Sequence, residues 1–123
     1  MTPARASLRE LIGDESEAHF QNRVVQLARL FGWKDFHLLD PIGSPAGFPD
    51  LLLRRPPRLV WAELKSQHGR VRPAQRAFLD ELRACGQEAF EWRPSDWEQI
   101  KTVLGGTREL TSRTVTGRLG GNV

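Results

Sequence analysis

The run Pro49-Asp50-Leu51-Leu52-Leu53-Arg54-Arg55-Pro56-Pro57-Arg58-Leu59-Val60-Trp61-Ala62-Glu63-Leu64-Lys65 decides the fold. Two apolar segments, residues 48–54 and 58–66, flank Arg55-Pro56-Pro57, and two prolines in a row break a ladder while suiting a tight connection. The segments read as paired strands folded back about residues 56 and 57. Side chains two apart in a strand share a face, so Glu63 and Lys65 point the same way. Asp50 and Glu63 lie equally far from the turn centre, which sets them opposite each other and lets two carboxylates reach one cation.

A lysine and carboxylates gathered in the middle of a sheet cost desolvation unless they find partners, and such groupings often mark a functional site. Oxygen ligands suit a hard cation. Mg²⁺ typically takes one or two carboxylates and leaves its other positions to water and substrate phosphate. The backbone carbonyl of Leu64 can add an oxygen from the same strand. A cation held this way polarises a scissile phosphate and makes a nearby water more acidic. Lys65 can then position or help deprotonate the nucleophile and offset charge in the transition state. These are the parts needed for phosphodiester hydrolysis, with Asp50, Glu63 and Lys65 as the central set.

Upstream of this run, Phe20, Val24, Leu27, Ala28 and Leu30 or Phe31 recur at spacings of three and four, which predicts a helix capped by Ser16 and stopped by Gly32. Residues 33–39 then alternate enough for a first strand. The Gly- and Pro-rich stretch 41–47 is a loop. Downstream, a second helix is expected from Pro73 through Ala74, Phe78, Leu82 and Ala84 to Gly86. A fourth strand covers 87–92, and Pro94-Ser95-Asp96 opens a third helix through Trp97, Ile100 and Leu104. The order α-β-β-β-α-β-α is an α/β fold. Its strand-helix-strand step calls for one parallel pairing beside the antiparallel pair, hence a mixed sheet of about four strands flanked by helices.

The length of 123 residues fits one core. Residues 1–14 read as a leader with room for a short helical turn, 15–104 as the domain, and the Gly-, Thr-, Ser- and Arg-rich 105–123 as a mobile tail. With 39% hydrophobic and 27% charged residues the chain should fold. An excess of 18 Lys and Arg over 15 Asp and Glu, net +3 with a pI near 9.7, favours a polyanionic partner. The lone Cys85 cannot form an internal disulfide and reads as a helix residue. No Cys/His cluster signals zinc, so a reducing compartment is expected. The N-terminus has no apolar run for a signal peptide or a span, which leads to the expectation of a soluble, cytoplasmic protein with no membrane association. His19, His37 and His68 lack ligand spacing and read as structural or solvated. Trp33, Trp61, Trp92 and Trp97 fall where aromatic burial is the ordinary explanation.

The ordered series Glu17-Ala18-His19-Phe20-Gln21, Ala28-Arg29-Leu30-Phe31-Gly32-Trp33, Gly47-Phe48-Pro49-Asp50-Leu51, Ala62-Glu63-Leu64-Lys65-Ser66 and Pro73-Ala74-Gln75 resembles the VRR-NUC branch of the PD-(D/E)XK nucleases, in the minimal stand-alone form carried by bacteriophages and prophages. The resemblance spans about residues 15 to 104 and implies a restriction-endonuclease-like core. It implies Asp50 and Glu63 as metal ligands for Mg²⁺ or Mn²⁺ and Lys65 as the catalytic lysine. Glu17 would be a helical acid that contributes to the metal site, often through water. Gln75 would orient the lysine or contact the substrate strand. The family's Val-Arg-Arg motif has only Leu53-Arg54-Arg55 and Gly69-Arg70-Val71-Arg72 as counterparts. Arg70 and Arg72, on the link after the central strand, would project beside the cleft and contact phosphate. No base-reading element is visible, which favours recognition of structure or backbone. The resemblance further implies a homodimer acting on branched or flapped DNA in the bacterial host's cytoplasm, since stand-alone members lack the extra domains that otherwise hold substrate. Two rivals stay open at this point. One is a nucleic-acid-binding protein that keeps the fold without cleavage, and the other is an interaction module in a phage assembly.

Overall fold

A computed structural model describes residues 15–37 and 47–106. The leader with its expected helical turn, the last two residues of the expected first strand, most of the expected 41–47 loop and the tail beyond Gly106 lie outside the described residues. Helix α1, Glu17–Leu30, starts where expected. The Ser16 hydroxyl accepts the His19 backbone N–H at 3.0 Å, which satisfies one of the four N–H groups a helix start leaves without an internal partner. Its stripe of Phe20, Val24, Val25 and Ala28 is buried, and Gly32 at φ +91° ends it. Strands β1 (Lys34–His37), β2 (Leu51–Arg55) and β3 (Arg58–Leu64) follow. Then come α2 (Pro73–Ala84), β4 (Glu88–Trp92), a 3₁₀ turn (Pro94–Asp96) and α3 (Trp97–Gly105). The order α-β-β-β-α-β-α is the one that the sequence predicts.

The sheet runs β1-β2-β3-β4, with the first two pairings antiparallel and β3 parallel to β4. Alternation sorts the strands into two faces. Leu51 and Leu53 of β2, Val60, Ala62 and Leu64 of β3, and Trp92 of β4 pack in one core with Phe20, Val24 and Ala28 of α1 and with Ile100 and Leu104 of α3. The opposite face carries Trp61 and Glu63 and is covered by α2. There Phe48 meets Trp61 and Phe78 edge-on, with ring centroids 6.0 and 5.3 Å apart. The result is a mixed sheet between helices, consistent with a restriction-endonuclease-like core.

The end of the β2–β3 hairpin is tied to the end of α3. Arg55 and Arg58 stack over the Trp33 ring at 4.6 and 5.0 Å. Arg55 Nη1 donates to the carbonyls of Phe31 (2.9 Å) and Leu104 (3.1 Å), and its Nη2 donates to Gly106. Arg58 Nη1 donates to the carbonyls of Val103 and Gly106, both at 2.8 Å, while its other nitrogens pair with Glu88. Trp33 Nε1 donates to Leu104 at 2.8 Å. The last carbonyls of a helix lack internal partners and carry partial negative charge, which is what these donors answer.

Boundaries differ from the expected ones at several places, with β1 and β4 starting one residue late at Lys34 and Glu88 and β2 running on to Arg55. Strand β2 starts at Leu51 and not 48, because Pro49 has no N–H to give to a ladder. Strand β3 stops at Leu64, although Lys65 N still donates to Trp92 O at 3.0 Å. Pro94–Asp96 is a separate 3₁₀ turn, fixed by the Asp96 carboxylate accepting the Arg93 N–H at 2.9 Å.

Candidate active site

The hairpin register fixes the carboxylates. Arg55 pairs with Arg58 at the turn and Leu51 with Ala62 at the far end, so Asp50 enters one step beyond the last pair, on the level of Glu63. Its Oδ2 accepts the Leu64 backbone N–H at 3.3 Å, which ties it across to β3. Glu63 is 1% exposed. Its Oε2 accepts from Gln75 Nε2 at 2.8 Å and faces Lys65 Nζ at 3.4 Å. Its Oε1 is buried with no hydrogen-bond partner.

Gln75 is placed by the start of α2, where Pro73 sits at the first helical position. Its Oε1 accepts the Arg72 backbone N–H at 2.9 Å, which leaves the amide's donor end for Glu63. It therefore grips the glutamate and not the lysine. Gly47 sets the approach of Asp50. It has φ +84°, and a Cβ there would lie 2.3 Å from the Ala74 carbonyl oxygen, so only glycine lets residues 47–50 lie against the first turn of α2.

Burial pushes the Glu63 carboxyl up to about 7, with the neighbouring Asp50 adding to the rise and Lys65 opposing it. A buried carboxylate oxygen with no donor, next to a second carboxylate, is costly unless a positive charge joins it. The paired carboxylates of Asp50 and Glu63 thus have the chemistry to take a divalent cation that prefers oxygen ligands. Asp50, Glu63, Lys65 and Gln75 are drawn into one contiguous set. Glu17 is exposed in the first turn of α1, where the helix dipole favours an acid. Among the described residues, no third His, Cys, Asp or Glu joins the pair in a group able to hold a metal ion.

Arg70 and Arg72 are exposed on the link between β3 and α2, and neither enters an ion pair among the described residues. Arg55, in the other Arg-Arg piece, is committed to the helix end. His19 pairs with Glu15 at 2.6 Å and His37 with Asp35 at 3.4 Å, whereas His68 is exposed. Cys85 is the exposed C-cap of α2. Trp33 and Trp92 are core residues, while Trp61 and Trp97 are half-buried, the latter beneath the Arg23 guanidinium at 4.1 Å.

Sequence reasoning passed over Glu91 and Arg93. Glu91 of β4 is the register neighbour of Glu63 and holds Arg76 at 3.0 Å and Arg93 at 3.4 Å. Arg93 also reaches the backbone after Lys65. Alternation along β4 marks Glu91 as sharing the α2 face, but only the parallel register reveals what it adjoins.

No helix among the described residues is long and apolar enough to cross a membrane. Comparison with curated proteins gives no match. The family model for the VRR-NUC domain matches residues 7–95, most of the chain and all of the Asp50, Glu63, Lys65 and Gln75 set. The chain therefore belongs to the VRR-NUC domain family, nucleases of the PD-(D/E)XK type that act on DNA.

Proposed function

We propose that this chain is a Mg²⁺- or Mn²⁺-dependent nuclease whose metal is held by Asp50, Glu63 and the Leu64 carbonyl, and that it selects branched or flapped DNA by backbone and shape. The observation that carries the reading is the partnerless, buried Glu63 Oε1 beside Asp50. When bound, the cation supplies Lewis-acid stabilisation of phosphate charge and a more acidic water. Asp50 and Glu63 present its oxygen ligands, and Gln75 holds Glu63 in place from behind. Lys65, 3.4 Å from Glu63, orients the nucleophile and offsets charge on the phosphate in flight. Glu17, exposed on α1, takes part through water.

Arg70 and Arg72 hold the DNA backbone as they leave the cleft, a contact that positions without reading sequence. Residues 15–104 make up the nuclease domain. The resemblance to stand-alone members supports a homodimer, encoded by a phage or prophage and working in the host cytoplasm. A non-catalytic DNA-binding role is the weaker reading, because binding alone does not require a half-buried lysine, two carboxylates and a glutamine clamp.

Cleavage of linear, flapped and four-way-junction DNA in Mn²⁺, with and without EDTA, tests the proposal. Metal-dependent cutting that favours flap or junction and disappears in Asp50→Ala is expected. Cutting that survives EDTA, or wild-type cutting by Asp50→Ala, would remove the assignment, and equal rates on all substrates would remove the structural preference.

A further inference from the structure

Lys65 lies just past the end of β3, at the last bond that the sheet offers it. Its backbone N–H makes one bond to Trp92 O at 3.0 Å, and from Ser66 the chain turns away. A side chain that must meet a phosphate needs a fixed backbone, since errors of about 1 Å cost rate. The fixing comes from the residues that follow β4. Arg93 Nη1 donates to Ser66 O at 2.7 Å and Gln67 O at 3.2 Å, while Nη2 faces Glu91 at 3.4 Å. Gln67 Nε2 donates to Ser95 Oγ, and Gln67 Oε1 accepts the Ser95 N–H, both at 3.0 Å. The Arg93 backbone is itself held by Asp96.

We propose that Arg93, backed by the Gln67–Ser95 pair, is a positioning residue that locks the backbone beyond Lys65 and so aims its ammonium at the reacting phosphate. This rests on the proposed catalytic role of Lys65. A guanidinium suits the task because its fork can bridge two successive carbonyls and keep a nitrogen for Glu91. The alternative use of an arginine at a nuclease cleft is direct contact with DNA phosphate. That use predicts a different kinetic signature, because a ground-state contact lowers KM whereas an aiming role acts on kcat.

Steady-state kinetics of the full chain in Mn²⁺, on the DNA substrate that the wild type cuts best, separate the two. Arg93→Gln is expected to lower kcat about tenfold to a hundredfold while KM and calorimetric Mn²⁺ affinity stay within about twofold. Arg93→Lys should recover part of the loss, since an ammonium can still donate to both carbonyls. Should Arg93→Gln fail to fold, the Gln67→Ala/Ser95→Ala double variant carries the test, with a smaller kcat loss at unchanged KM expected. Raised KM at unchanged kcat, or no effect in either variant, overturns the proposal. Lys65→Ala separates the two levels. Wild-type cutting by it defeats the catalytic reading and the brace together, whereas an inactive Lys65→Ala beside a fully active Arg93→Gln defeats the brace alone.

Discussion

Gln75 donates to Glu63 at 2.8 Å from one end of an amide whose other end is held by a backbone N–H, so the glutamate is oriented by a residue that cannot itself turn over. Gln75→Ala leaves Glu63 with Lys65 as its remaining donor and opens room beside it. A hydrogen bond to a charged group contributes about 1.5–3 kcal/mol, so kcat/KM in Mn²⁺ should fall about tenfold to a hundredfold. Gln75→Glu, which sets a third carboxylate against Glu63, should fall further. Activity equal to wild type in both variants would show that the clamp is idle.

Glu63 gives a pH prediction for the metal-free protein. Its carboxyl stands near 7 in the fold against an ordinary value of 4.5, so the folded state holds the proton more tightly than the unfolded state. The stabilisation is complete below 4.5, declines as pH rises, and is lost above about 7, where the buried charge is fully developed. Urea unfolding in EDTA should give a less stable wild type at pH 8.5 than at pH 5.5. Glu63→Gln should flatten that difference and, at pH 8.5, raise stability by on the order of 1–3 kcal/mol while abolishing cleavage. Equal stability of wild type and variant at pH 8.5 would contradict the burial assigned to this charge.

Gly47 and Gly86 form a matched pair. Both have positive φ, +84° and +81°, but a Cβ at Gly86 meets nothing within 4 Å whereas one at Gly47 strikes the Ala74 carbonyl. Gly86→Ala should cost only the left-handed backbone term of about 1–2 kcal/mol and leave activity intact. Gly47→Ala should cost more by thermal denaturation and also lower activity, because its relief moves Asp50 or Gln75.

Arg58 is buried, paired with Glu88 and bonded to two carbonyls at the end of α3. Arg58→Ala strands the Glu88 carboxylate and the helix end together, and breaking a buried pair from one side costs about 3–5 kcal/mol. Denaturant titration checks this. A loss under about 1 kcal/mol would mean that water replaces the guanidinium without penalty.

Arg70 and Arg72, exposed and outside any ion pair among the described residues, should behave in the opposite way. Arg70→Ala/Arg72→Ala should leave the melting temperature unchanged. It should weaken DNA binding across sequences and reduce the slope of log K against log salt by about two phosphate contacts. An unchanged slope, measured with catalytically inactive protein, would place the DNA elsewhere.

The hairpin was legible because a turn centre and a period of two fix which residues face each other, and both are local facts about Pro56-Pro57 and the alternation around them. Ser16, Gly32, Pro73 and Gly86 marked helix ends for equally local reasons. The purpose of Gln75 was half legible. Its position after the central motif was suggestive, but that it holds Glu63 instead of Lys65 depends on how α2 lies over the sheet. Arg58 and Arg93 were invisible as anchors, since an arginine in a strand or after one looks solvent-bound until its partners, 30 positions away for Glu88 and 26 or 27 for Gln67 and Ser66, arrive in space. The expected convergence of Glu17 came from family resemblance, and spacing along the chain carries no information about it.

The pairing of Arg55 with Arg58 and Leu51 with Ala62 has a corollary for changes in length. The two acids keep their distance by counting outward from the turn, so the hairpin acts as a ruler with parity. Adding two residues at the tip lengthens both arms equally and leaves Asp50 level with Glu63. Adding one shifts a strand by a step and sends Leu51 or Leu53 toward the wrong side of the sheet. The tip can therefore change in composition, and in length by even increments, with Asp50 and Glu63 still level, whereas a single-residue insertion or deletion between positions 51 and 62 should unseat the pair.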